Sequence, residues 1–83
     1  MSGPRLTFYT KPDCCLCETA LAELEVAGRE AEFDWIEVNI LNDFEAYQRF
    51  KHDIPVLMYG ERILFRHEIA AAELIQRLAE FRE

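Results

Sequence analysis

All three cysteines of the chain, Cys14, Cys15 and Cys17, lie in the stretch 14–17, so no disulfide can tie distant parts of the fold together. A chain of 83 residues without such staples has to be held by its core alone. At that size folding buries only about 60–65% of the unfolded surface, and almost every periodic segment must contribute to one core. The apolar fraction of 51% and charged fraction of 30% permit this, and residues 1–83 read as a single domain.

The segments follow from periodicity. Leu6-Thr7-Phe8-Tyr9 is β-prone and is ended by Lys11-Pro12-Asp13. From Cys14 the pattern turns helical, with Cys17, Leu21, Leu24 and Gly28 at spacings of three or four, and Gly28 reads as the helix end. Phe33 to Ile40 alternates loosely and reads as a second strand. Asn42 is the expected cap of a short helix, with Glu45 reaching back three residues later and Phe44, Tyr47 and Phe50 sharing a face. Ile54 to Tyr59 is a buried-strand candidate opened by Pro55, and Gly60-Glu61 turns it into Arg62-Ile63-Leu64-Phe65 as a hairpin. A last amphipathic helix runs from about Ile69 to Phe81, with Leu74, Ile75 and Leu78 inward. The order is βαβαββα, and its strand–helix–strand opening implies a parallel pair with a right-handed crossover.

The formal charge is −7, from 16 acidic and 9 basic residues. That sign argues against a nucleic-acid groove, which needs clustered Lys and Arg, and against adsorption to anionic membranes. No apolar run approaches the roughly 20 residues that span a bilayer. The start, Met1-Ser2-Gly3-Pro4-Arg5, enters a strand directly, so a cytoplasmic location is the expectation. Local cysteines in a reducing compartment point to redox or metal chemistry.

Cys14 and Cys17 are three residues apart at the mouth of the expected helix, where their sulfurs can meet across one turn. The unpaired N–H groups and positive dipole end there favour thiolate, the form that attacks disulfides, and Lys11 can add a cation. Cys17, one turn in, is expected to be more buried and to resolve a mixed disulfide. In the resulting cycle Cys14 attacks a substrate disulfide, Cys17 displaces the substrate, and an external reductant resets the pair.

The segment Tyr9-Thr10-Lys11-Pro12-Asp13-Cys14-x-x-Cys17 after a first strand resembles the active-site segment of the glutaredoxins, and Ile54-Pro55-Val56 stands where they carry threonine-valine-proline. The short loop, Tyr47 and Ile54-Pro55-Val56-Leu57 resemble more narrowly the small glutaredoxin-like proteins, most of whose substrates are unassigned. The resemblance spans about Leu6 to Leu78. It implies a thioredoxin-like fold of glutaredoxin type, a four-stranded mixed sheet with helices on both faces, and a cis bond between Ile54 and Pro55 facing the cysteines. The Ile54 backbone would then be exposed for an extended substrate to pair with. It also implies a thiol–disulfide oxidoreductase with a redox-active centre at Cys14 and Cys17, tuned or assisted in substrate binding by Lys11, Pro12, Ile54 and Pro55.

There are departures. Between the cysteines stands Cys15-Leu16 instead of Pro-Tyr, so the tyrosine that lines the glutathione groove is absent. The glycine pair and acidic residues that hold glutathione's γ-glutamyl end align with Leu64-Phe65-Arg66-His67. Leu64 and Phe65 could fill that groove. Glutathione and a thioredoxin reductase both remain open as the reductant, and protein or low-molecular-weight disulfides as substrates, with no bound cofactor and a monomer expected.

Zinc on the three cysteines with His52 or His67 is disfavoured because the sulfurs are too crowded for paired-ligand spacing, and no metal is expected. A cluster bridged between protomers would suit a single cysteine better. Cys15 reads as an exposed neighbour, and the two histidines as surface residues. The competing class is a non-catalytic binding or redox-sensing module that uses the same fold.

Overall fold

The computed structural model describes residues 3–80. Four strands, β1 (Arg5–Thr10), β2 (Asp34–Asn39), β3 (Val56–Tyr59) and β4 (Arg62–Arg66), form one sheet in the order β2-β1-β3-β4. β1 and β2 are parallel; β1 with β3 and β3 with β4 are antiparallel. Helices α1 (Cys15–Glu30), α2 (Phe44–Phe50) and α3 (Ala71–Glu80) complete a thioredoxin-like α/β fold. Among the described residues no helix is long and apolar enough to cross a membrane.

Strand alternation sends side chains to two cores. Leu6 and Phe8 of β1, Leu57 of β3 and Leu64 of β4 meet Ala20, Leu24 and Ala27 of α1 and Leu74 and Leu78 of α3 on one face. Val56 and Met58 meet Ile40, Ala46, Phe50 and Ile54 on the other, and Cys17 joins this second cluster. Leu6, Leu24, Leu57 and Leu74 are fully buried, and each such side chain contributes roughly 1.5–3 kcal/mol. α1 and α3 are also tied by Glu23, whose Oε1 accepts the Ala71 N–H at 2.7 Å and so caps the start of α3 from across the fold.

Several local expectations are corrected. Gly28 does not end α1, which runs on to Glu30. The glycine lies where the Trp35 ring crosses the helix, and a Cβ there would stand 3.3 Å from Trp35 Cζ3. Asn42 is not the cap of α2. A 3-10 turn, Ile40–Asn42, capped by Asn39, intervenes, and Asp43 Oδ1 accepts the Ala46 N–H at 3.0 Å instead. The face docked on the sheet carries Ala46 and Phe50, leaving Phe44 77% exposed and Tyr47 at the surface.

The second strand is Asp34–Asn39 and the third begins at Val56, just after Pro55. α3 begins at Ala71, two residues after Ile69, and Phe81 lies outside the described residues. Leu64 does not fill a groove beside the cysteines. It is buried in the α1–α3 core, and Phe65 packs against that core beneath the Arg77 guanidinium at 4.8 Å.

Candidate functional site

The ends of β1 and β2 and the start of β3 lie together, since Thr10 pairs with Asn39 and Tyr9 with Val56. The chain leaves β1 through Lys11-Pro12, and Asp13 takes a left-handed conformation (φ 58°), one that Asp tolerates better than most residues. Cys14 thereby arrives as the N-cap of α1, in extended backbone. Its sulfur accepts the Cys17 N–H at 3.2 Å, filling the place a Ser or Asp oxygen usually holds. A sulfur at this position faces unpaired backbone donors, the local feature that stabilises negative charge at a helix start.

The dithiol is asymmetric. Cys14 is half-buried, Cys15 is exposed and Cys17 is only 3% exposed; all three are free thiols. Burial pushes the Cys17 thiol above its ordinary value, and hydrogen bonding with the Cys14 side chain and the charge there add to the rise. The Thr10 side chain and the Lys11 backbone act in the opposite direction. Cys17 therefore keeps its proton while Cys14 stands at the opening.

On one side the sulfurs open into a cleft of about 160 Å³, lined among others by Lys11, Pro12, Asp13, Glu18 and Glu37. On the other side Cys14 and Cys17 pack with Ile54, Val56 and Tyr9. The Ile54–Pro55 bond is cis. Of the residues expected at the site, Lys11 and Pro12 thus share the cleft with both cysteines. Ile54 backs the pair from behind, and Pro55 is fully buried beside it in sequence.

The Ile54 backbone differs from expectation. Its N–H donates to the Phe50 carbonyl at 3.1 Å as α2 unwinds, and the residue is 9% exposed. A substrate strand would find that donor already engaged. The glycine-like backbone after β4 falls at His67 (φ 73°), two residues beyond Phe65. The His67 N–H donates to the Pro55 carbonyl at 2.8 Å, which ties this turn to the segment behind the dithiol. Among the described residues no three His, Cys, Asp or Glu side chains converge as metal ligands, and His52 and His67 are both exposed.

Sequence reasoning missed Thr10, Glu18 and Glu37. The signal for Glu37 was present: alternation from Phe33 and Trp35 places residue 37 on the same side of the strand.

A family model described as Glutaredoxin-like domain (DUF836) matches residues 5–79. The chain is similar to the Glutaredoxin-like protein YDR286C homolog of Dictyostelium discoideum, 31% identical over 71 residues. That match covers 77% of this chain and 65% of the relative, so the chain spans just under two-thirds of the relative's length. Among solved structures it resembles the structural genomics target protein XcR50 from X. campestris, with a TM-score of 0.72, 28% identity and coverage of 90% and 96% of the two chains. It also resembles thioredoxin-2, a component of the malaria parasite protein secretion machinery, with a TM-score of 0.71 over 95% and 84% of the chains. At 14% identity the second likeness concerns the fold alone.

Proposed function

The chain belongs to the glutaredoxin-like domain family, and from that premise we propose that it is a thiol–disulfide oxidoreductase with Cys14 as attacking thiolate and Cys17 as resolving thiol. The observation that carries this reading is the 3.2 Å bond from the Cys17 N–H to Cys14 Sγ, with Cys14 at the opening and Cys17 buried behind it. An attacking sulfur needs access and donors that favour its charge; a resolving sulfur needs proximity and shelter from the substrate. The two positions differ in that way.

Cys14 attacks one sulfur of a protein or low-molecular-weight disulfide, and the first product leaves as a thiol. Cys17 then loses its proton and attacks Cys14, releasing the second thiol and leaving a Cys14–Cys17 disulfide. The pair is oxidised by two electrons and the substrate is reduced by two. Either glutathione or a thioredoxin reductase then resets it; turnover with each as sole reductant identifies which. Lys11 and Pro12 hold the approach to Cys14, and Ile54 and Pro55 the wall behind it.

The test uses the reduced chain and a peptide disulfide. Cys14→Ser is expected to abolish exchange, and Cys17→Ser to trap a mixed disulfide on Cys14 that mass spectrometry detects. Exchange that persists in Cys14→Ser, or a wild-type chain that forms no internal disulfide on mild oxidation, would overturn the reading in favour of a binding module.

A further inference from the structure

β2 runs along the sheet edge with Trp35 on the α1 side, opposite Leu6 and packed against the main core. Two residues on, Glu37 occupies the same side, directly opposite Phe8, which is 1% exposed. The position itself is exposed, as charged residues on edge strands commonly are. The Glu37 side chain lines the cleft that holds Cys14 and Cys17.

Glu18 lines the same cleft from the first turn of α1, and Asp13 from the loop before it. Glu18 has a structural reason for its place, because acidic residues suit the first turn of a helix. Glu37 adds a like charge to the same cleft, and among the described residues neither carboxylate makes an ion pair. Lys11 is the one cation among the described residues lining the cleft, against three carboxylates. A cleft with more carboxylates than cations beside a pair of thiols favours a cationic substrate flank over an anionic one.

We propose that Glu37, helped by Glu18, is a specificity-determining residue that selects disulfides carrying lysine or arginine next to the cysteine attacked by Cys14. This rests on the exchange activity proposed above. The substrate sulfur must reach Cys14, so its neighbouring side chains enter the cleft, where a cation meets the carboxylates. Disulfides flanked by carboxylates, glutathione's among them, are disfavoured by the same charges.

The experiment follows a single turnover of the reduced chain with three symmetric peptide disulfides, whose cysteines are flanked by lysines, glutamines or glutamates. Acid quenching and chromatography of the released peptide thiol need no added reductant. The lysine peptide is expected to react fastest and the glutamate peptide slowest, with the spread collapsing at high salt. Glu37→Gln should reduce the lysine-to-glutamine rate ratio about two- to fivefold, the range for one exposed charge pair, and Glu37→Asp should keep most of it. Glu61→Gln, the same charge change in the turn between β3 and β4, should leave the ratio in place.

A ratio unmoved by Glu37→Gln, or moved equally by Glu61→Gln, overturns the inference while exchange itself stands. No exchange with any of the three peptides overturns the oxidoreductase reading and this one with it.

Discussion

Replacing Cys17 with alanine should flatten the alkaline side of the stability curve of the reduced protein. An unfolded chain releases the Cys17 proton near the ordinary value of 9.0, whereas the folded chain holds it to higher pH, chiefly because the thiol is buried. Between those two points the unfolded state binds fewer protons than the folded state, so stability falls as pH rises. The contribution is complete below about pH 9 and is lost as pH climbs toward the folded value. Its slope has a ceiling of about 1.4 kcal/mol per pH unit for one proton, and the cleft beside Cys17 lowers it by admitting water.

For a domain of this size a urea m-value is about 1 kcal/mol/M, so each kcal/mol moves the midpoint by roughly 1 M. Urea unfolding under reducing conditions from pH 7 to 10.5 reads the slope directly. Cys17→Ala also loses sulfur contacts with the cluster around Ile54, but that loss is independent of pH. Cys14→Ser should retain part of the slope, since burial, the largest single cause, remains. Identical slopes in Cys17→Ala and wild type would refute the argument. So would a Cys14→Ser variant as flat as Cys17→Ala.

Four further substitutions test the fold around the site. Asp43→Ala should cost about 1 kcal/mol by removing the cap on the Ala46 N–H, while Asn42→Ala should change stability by less than half of that in the same thermal melt. Glu23→Ala should cost about 1.5–3 kcal/mol by leaving the partly buried Ala71 N–H without its charged acceptor, which chemical denaturation would register. Gly28→Ala sets a helix gain of about 0.8–1 kcal/mol against the close approach to Trp35. The ring is half-buried on an edge strand and can yield, so a net gain below about 1 kcal/mol is expected, with a shift in emission from the single tryptophan. A net loss there would mean that the ring is held in place.

Much of the fold was legible because it rests on local signals. The β-prone run before Lys11-Pro12, the helix after Cys14 and the Gly60-Glu61 hairpin each follow from residues close in sequence. Cap and face assignments failed in α2. The 3-10 turn at Ile40–Asn42 moves the cap to Asp43, and no propensity distinguishes Asn42 from Asp43 in advance; Phe44 lies outward because Ala46 and Phe50 are the residues that dock. Gly28 misled because a glycine that ends a helix and one that admits a neighbouring ring look alike in sequence.

The sequence alone determined that this chain has a dithiol at a helix mouth and an order of elements that makes a thioredoxin-like sheet, because spacing and periodicity are properties of neighbours. Only the tertiary structure decided what surrounds those sulfurs. It spends the Ile54 N–H on Phe50, buries Leu64 away from the site, and brings Glu37 from another strand to the cleft beside Cys17. Those facts depend on strand register and on which side of the sheet a side chain takes, and both are set by long-range pairing.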